Sequence, residues 1–346
     1  MSEQPAEEAK NLLLEQRVGV ACSRVDSVRT EIGKIIVGQP EVIDGVLICL
    51  LAGGHVLLEG VPGLGKTTLL RTLARALNLK YSRIQFTPDL MPGDIVGSMT
   101  LQSEEGGSKL LRFQPGPIFA NLVLTDEINR ATPKTQSALL EAMQELTVTS
   151  GVATHHLQEP FLVMATQNPI EMEGTYPLPE AQLDRFMMKI LVNYPSHEEL
   201  HTIVDRSIQK REPVLNPILD GAGVLEIRAT CRKLEVPPAV RDFAVKFVMA
   251  TQPDSEGAHE AAKKWIRYGS SPRGAQALVE CGRVLALMRG RLQVSIEDIQ
   301  SVCLSVLRHR VILNFDAHAD GQTADGILTQ VIRQLTDRAT RSSSAR

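Results

Sequence analysis

Gly60-Val61-Pro62-Gly63-Leu64-Gly65-Lys66-Thr67 is the most informative octapeptide in the chain. Before it, His55 to Leu58 is a short apolar run of strand type. After it, Lys66 to Leu77 spaces its apolar residues by three and four, as a helix does. A strand that turns through glycines into a helix is a phosphate loop. Its glycines let the backbone approach phosphate oxygens and aim N–H groups at them, its lysine reaches the outer phosphates, and its threonine offers a hydroxyl to Mg²⁺. Gly60, Pro62, Gly63, Leu64, Gly65, Lys66, Thr67 and Thr68 are therefore the expected nucleotide-binding residues, with Thr67 on the metal. Multiplied residue frequencies put an accidental match in a chain this long at roughly once in a hundred.

Outward from this loop, short apolar runs alternate with helical patterns. Tyr81 to Phe86, Asn121 to Thr125, Phe161 to Thr166 and Met187 to Val192 read as strands, and Pro133 to Glu145 as a helix. That alternation predicts a doubly wound, mostly parallel α/β sheet. Upstream, Cys22, Val25, Val28, Ile32 and Ile35 mark an amphipathic helix ending near Gly38, followed by a second from Pro40 to about Ala52. Val96 to Phe113, around Gly106-Gly107, and Leu146 to Gln158, around Ser150-Gly151, read as inserted β-hairpins. After Tyr194-Pro195-Ser196 the pattern is helical throughout, which sets a core over 1–195, an all-α domain over 196–340 and a loose tail over 341–346.

A phosphate loop that serves hydrolysis also needs a carboxylate for the metal and another for the water. Leu122-Val123-Leu124-Thr125-Asp126-Glu127 supplies both at the end of a strand of buried type: Asp126 for Mg²⁺ and Glu127 to polarise the attacking water. Asn168, ending the strand Met164 to Gln167, is placed to orient that water. No Asn-Lys-x-Asp guanine signal is present, which favours ATP over GTP.

The order of Gly60 to Thr67, Asp126-Glu127, Asn168, Leu183-Asp184-Arg185-Phe186 and Ser271-Pro272-Arg273 resembles the AAA+ ATPases. Within them the chain is similar to the MoxR family, of the helix-2-insert branch. The likeness rests on Gln85-Phe86-Thr87-Pro88-Asp89-Leu90, Asp126-Glu127-Ile128-Asn129-Arg130-Ala131, the string from Lys134 to Glu145, and the string from Gly174 to Phe186. It covers about Ile32 to Val311. The resemblance implies an α/β core with a helical lid, a ring commonly of six subunits, and chaperone-like work on a protein client, often one with a von Willebrand factor A domain. Residue by residue, it makes Lys66 and Thr67 phosphate and metal contacts, Asp126 and Glu127 the magnesium and water carboxylates, and Asn168 sensor 1. Arg185 becomes the arginine finger offered to a neighbour, with Arg130 as its competitor, and Arg273 becomes sensor 2. Val37-Gly38-Gln39 matches the stretch that contacts adenine.

Composition narrows the alternatives. The 346 residues are 43% hydrophobic, 22% charged and 4% aromatic, with 37 basic and 40 acidic residues giving a net charge of −3. Nothing there forms the basic stripe of a nucleic-acid motor, and no apolar stretch is long enough to span a bilayer. The acidic N-terminus lacks an export signal, so the cytoplasm is the expected compartment. Residues 1–199 hold 16 basic and 24 acidic residues (−8) and 200–346 hold 21 and 16 (+5), a complementarity that suits packing one subunit's helical part on a neighbour's sheet part. The five cysteines are widely spaced in apolar patterns and read as reduced core thiols.

His197-Glu198-Glu199-Leu200-His201 satisfies a zinc-protease pattern, with Glu212 or Glu226 as a third ligand, but Ser196 and the two acids also suit a helix start. His155-His156 reads as an exposed pair. The other readings of the whole are a metal-chelatase motor subunit, a nucleic-acid-dependent motor and a non-hydrolysing ATP-gated scaffold.

Overall fold

A computed structural model describes residues 4–103, 109–150, 153–169, 174–209 and 213–344. Among these, the chain runs α1 (Gln4–Gly33), α2 (Pro40–Ala52), β1 (Val56–Glu59), α3 (Lys66–Ala76), β2 (Tyr81–Gln85), α4 (Pro92–Val96), β3 (Gly97–Ser103), β4 (Lys109–Pro115), β5 (Leu122–Asp126), α5 (Pro133–Glu145), β6 (Thr147–Ser150), β7 (Ala153–His156), β8 (Leu162–Gln167), α6 (Glu180–Leu183), β9 (Met188–Leu191) and α7 (His197–Gln209). It continues with α8 (Gly221–Cys231), α9 (Pro238–Thr251), α10 (Glu260–Trp265), β10 (Ile266–Tyr268), α11 (Pro272–Met288), α12 (Ile296–Leu307), β11 (Ile312–Leu313), α13 (Phe315–Ala319) and α14 (Ala324–Ser344).

Contacts divide the chain into two compact units. One comprises Asp26–Arg185 and Ile190–Glu226, the other Met1–Val25, Phe186–Lys189 and Ile227–Arg346. These limits differ from a cut at 195, because backbone and side-chain bonds tie the segment after β9 to the sheet unit. The Val192 N–H donates to Glu59, the Glu31 carboxylate accepts the Asn216 N–H at 2.7 Å, and Arg206 donates to the Lys34 and Ile35 carbonyls.

The sheet has the order β2-β5-β8-β1-β9, and the pairs β2–β5, β5–β8 and β1–β8 are parallel. Parallel strands covered on both faces must be apolar throughout. Accordingly Val56, Leu57, Leu58, Leu122, Val123, Leu124, Leu162, Val163 and Met164 are all fully buried. The non-sequential order brings β1, β5 and β8 together at the centre, so the ends of all three strands converge on one edge. Both inserted hairpins form, β3 with β4 and β6 with β7. Their expected turns at Gly106-Gly107 and Gly151 lie outside the described residues. His155 is not exposed as expected: it is half-buried, stacked on Phe113 with ring centroids 4.0 Å apart.

In the other unit, α11 packs on α9 and α12, and the buried stripe of α14 includes Ile327, Leu328 and Val331. Ser295 and Asp298 cap α12 with a reciprocal capping box. The expectation of an all-α domain needs one addition, the short antiparallel pair β10–β11. The tail expected from residue 341 is helical through Ser344 as the end of α14. Helix α1 likewise begins at Gln4 rather than Cys22, its buried stripe running Val18, Ala21, Val25, Val28, Ile32. All five thiols are free and four are buried, and burial pushes Cys231 and Cys281 up to about 12.

Candidate active site

Beyond β1 the chain passes Gly63 and Gly65 at φ +85° and +78°, left-handed values that favour glycine, and enters α3. A Cβ at either glycine would stand in open space. Gly65 brings no side-chain cap, which leaves the first-turn N–H groups of α3 available to an anion. Gly60 and Pro62–Thr68 line one cavity of about 450 Å³ together with Asp126, Glu127, Thr166, Asn168, Arg83 and Gln85. Lys66 donates to the Gly60 carbonyl oxygen at 2.5 Å, folded onto its own loop. Burial holds its ammonium below the ordinary lysine value, against the opposing pull of Asp126, Glu127 and Glu59.

The parallel register of β5 with β8 sets the carboxylates beside Thr166. Thr166 Oγ1 donates to Asp126 Oδ1 at 2.6 Å and accepts the Glu127 N–H at 2.9 Å, so one hydroxyl fixes both positions. Arg83 Nη2 donates to Asp126 Oδ2 at 2.7 Å. Gln85 Nε2 donates to Glu127 Oε2 at 3.1 Å, and Arg130 Nε stands 3.0 Å from that same oxygen. Glu127 itself has φ +57°, a strained value for a non-glycine residue, at the start of the 3₁₀ turn Ile128–Arg130.

The cavity thus gathers the phosphate loop apart from Val61, with Asp126, Glu127 and Asn168. Arg185 does not line it; its Nη1 donates to the Leu140 carbonyl of α5 at 3.0 Å. Val37 and Gly38 lie just before α2, where Gln39 Nε2 reaches the Leu64 carbonyl at 3.5 Å. Arg273 opens α11 in the other unit, exposed, with Ser271 Oγ accepting its N–H. At the zinc-like motif, Ser196 and Glu199 cap α7 reciprocally, the Glu199 N–H on Ser196 Oγ and the Ser196 N–H on Glu199 Oε2. Glu212 lies outside the described residues, and no group of three or more metal-ligating side chains occurs among those described.

Sequence reading missed Arg83, Gln85 and Thr166. Parity alone puts Arg83 and Gln85 on one face of β2, but only the β2–β5 register sets Gln85 opposite Asp126.

A parallel P-loop sheet with a carboxylate pair, Asp126-Glu127, at the end of one central strand defines a nucleotide-hydrolysing ATPase of the AAA+ class. Residues 55–188 match the model of the ATPase family associated with various cellular activities (AAA), and residues 258–331 match that of the AAA lid domain. Chaperone MoxR1 of Mycobacterium tuberculosis is 44% identical over 305 residues, covering 88% of this chain and 80% of that protein. Protein MoxR of Paracoccus denitrificans is 35% identical over 304 residues, covering 81% and 86%. A crystal structure of a Cytophaga hutchinsonii protein provisionally designated an ATPase superposes with a TM-score of 0.87 at 41% identity, covering 94% of this chain and 98% of that one. The chain belongs to the MoxR family of AAA+ ATPases.

Proposed function

We propose that the protein hydrolyses ATP with Mg²⁺ in a ring of its own copies and spends the cycle on remodelling or activating a protein client. The observation that carries this reading is the single cavity in which the phosphate loop, Asp126, Glu127 and Asn168 meet. The donor set suits a magnesium nucleotide. The loop offers open, N–H-lined space, and the Thr67 hydroxyl and Asp126 carboxylate are the hard oxygens that Mg²⁺ prefers. When bound, the metal neutralises charge between the outer phosphates.

The chain's own groups do the rest. Backbone N–H groups from Gly63 to Thr68 cradle the phosphates, and Lys66 exchanges the Gly60 carbonyl for phosphate oxygen. Thr166 holds the Asp126 carboxylate in place and aims the peptide that carries Glu127. Glu127 accepts a proton from water while Asn168 holds that water in line. Arg185 supplies its guanidinium to a neighbour's nucleotide, which its place outside the home cavity supports. Arg273 acts from the lid as sensor 2, and Val37-Gly38 receive the adenine.

The chaperone role follows the named relative, Chaperone MoxR1. A hexameric ring, a client with a von Willebrand factor A domain and a cytoplasmic site follow the family resemblance. Among the described residues no helix is long and apolar enough to cross a membrane. The test is Glu127→Gln, which should bind ATP with unchanged affinity and lose roughly 10²- to 10⁴-fold in turnover, the usual worth of a general base. Wild-type turnover in that variant removes Glu127 from the mechanism and favours an ATP-gated scaffold.

A further inference from the structure

Gln136 sits on α5 with its side chain fully buried. Its Nε2 lies 3.2 Å from the Ile128 carbonyl oxygen, 3.2 Å from that of Ala131 and 2.9 Å from that of Tyr176. Three carbonyls around one end identify that end as the NH₂ group. Its Oε1 is buried with no hydrogen-bond partner among the described residues, so every favourable contact of the amide goes to those carbonyls. Two of them bracket the turn that leaves Glu127 and carries Arg130. The third belongs to a different segment, whose own N–H is bonded to the Asn129 carbonyl at 2.7 Å. The peptide groups on either side of Tyr176 are thus pinned to the turn after Glu127, one directly and one through Gln136.

From Tyr176 the chain runs Pro177-Leu178-Pro179 into α6 and then to Arg185. Two prolines with fixed φ, and a buried Leu178 between them, make this a stiff strut. The strut ends on the same helix it started from, because Arg185 donates to the carbonyl of Leu140, one turn along α5 from Gln136. One helix therefore holds the turn behind Glu127 at one position and the Arg185 guanidinium at the next.

We propose that Gln136 is a positioning residue for hydrolysis. It joins the geometry of Glu127 to that of Arg185, so that a shift in the home cavity is felt at the arginine a subunit presents, and the reverse. The half concerning Arg185 rests on the trans-arginine reading above, whereas the half concerning Glu127 does not.

The test replaces Gln136 by Met, of similar length and without donors. Gln136→Met should keep the affinity for a fluorescent ATP analogue within about twofold and lose about 10²-fold in kcat, the order expected when catalytic groups shift by an ångström. Mixed rings then separate the two halves. Arg185→Ala mixed with Lys66→Ala is the control, and restored hydrolysis there establishes the trans arginine. Gln136→Met should fail to be restored by Lys66→Ala, which offers intact arginines, and fail to restore Arg185→Ala, which offers intact sites. Restoration in either mixture confines Gln136 to one site and overturns the coupling. No restoration in the control overturns the Arg185 half with the trans-arginine reading itself, while the Glu127 half stands or falls on kcat alone. Wild-type kcat at saturating ATP, or loss of affinity and folding without loss of kcat, makes Gln136 merely structural. Should the Met variant not fold, Gln136→Glu serves. Only its protonated form donates, so its activity relative to wild type should rise as pH falls, and a flat ratio overturns the proposal.

Discussion

Gln85 Nε2, at the end of β2, donates to Glu127 Oε2 at 3.1 Å, just past the end of the neighbouring strand β5. Arg130 stands 3.0 Å from the same oxygen, so one carboxylate oxygen is occupied by two donors before any water reaches it. Exposed charge-assisted contacts of this kind are worth up to ~1 kcal/mol. Gln85→Ala should therefore raise the basal ATPase rate by a few-fold, up to about fivefold, with ATP affinity unchanged. A fall in kcat would mean that Gln85 aims Glu127 instead of restraining it.

The contrast between Glu127 and Gln85 also measures how much of the site could be read from the sequence. The phosphate loop, Asp126, Glu127 and Asn168 were legible because each stands in a local pattern, a glycine run or a strand end. Gln85, Arg83 and Thr166 acquire meaning only through register, which places Gln85 opposite Asp126 and Thr125 opposite Ala165. Periodicity gives a strand's faces but not its neighbours. The limits of the sheet unit escaped for a similar reason. Ties such as Glu31 to Asn216 join residues 185 apart, and no change of composition marks them.

Lys66 predicts a pH dependence. Burial lowers its value below the usual 10.5, and bound phosphates would raise it again by supplying negative charge. Nucleotide binding therefore takes up a proton once pH exceeds the value in the free protein, and affinity falls there by about tenfold per pH unit. ATP affinity should decline on an alkaline limb that begins below 10.5. Lys66→Arg, charged throughout this range, should flatten that limb. A wild-type affinity that stays level to pH 10.5 contradicts the assignment.

Gly38 has φ +67°, and a Cβ there would overlap the Glu199 carboxylate. The left-handed backbone alone costs any other L-residue about 1–2 kcal/mol. Displacing Glu199 would also break its reciprocal bonds with Ser196. Gly38→Ala should raise the Kd for ATP about tenfold, equivalent to ~1.4 kcal/mol, while kcat at saturating ATP holds. An unchanged Kd would detach Val37-Gly38 from the nucleotide.

Asp298, fully buried, accepts from Arg289 at 2.9 Å, from Arg291, and from the Ser295 N–H at 2.9 Å. Removing one partner of a buried ion pair costs roughly 3–5 kcal/mol, and the partial exposure of both arginines places this case near the lower figure. Asp298→Ala should lower unfolding free energy by about 3 kcal/mol in a denaturant titration. A shift under ~1 kcal/mol would show that water serves the two arginines equally well.

An ATPase site completed by a neighbouring subunit's arginine is tested most directly by the ATPase rate per protomer against protein concentration, with mass measured in parallel. The rate should climb as rings form, and an Arg185→Ala variant should assemble equally well without the climb. A rate independent of concentration, sustained by a monomer, would contradict it.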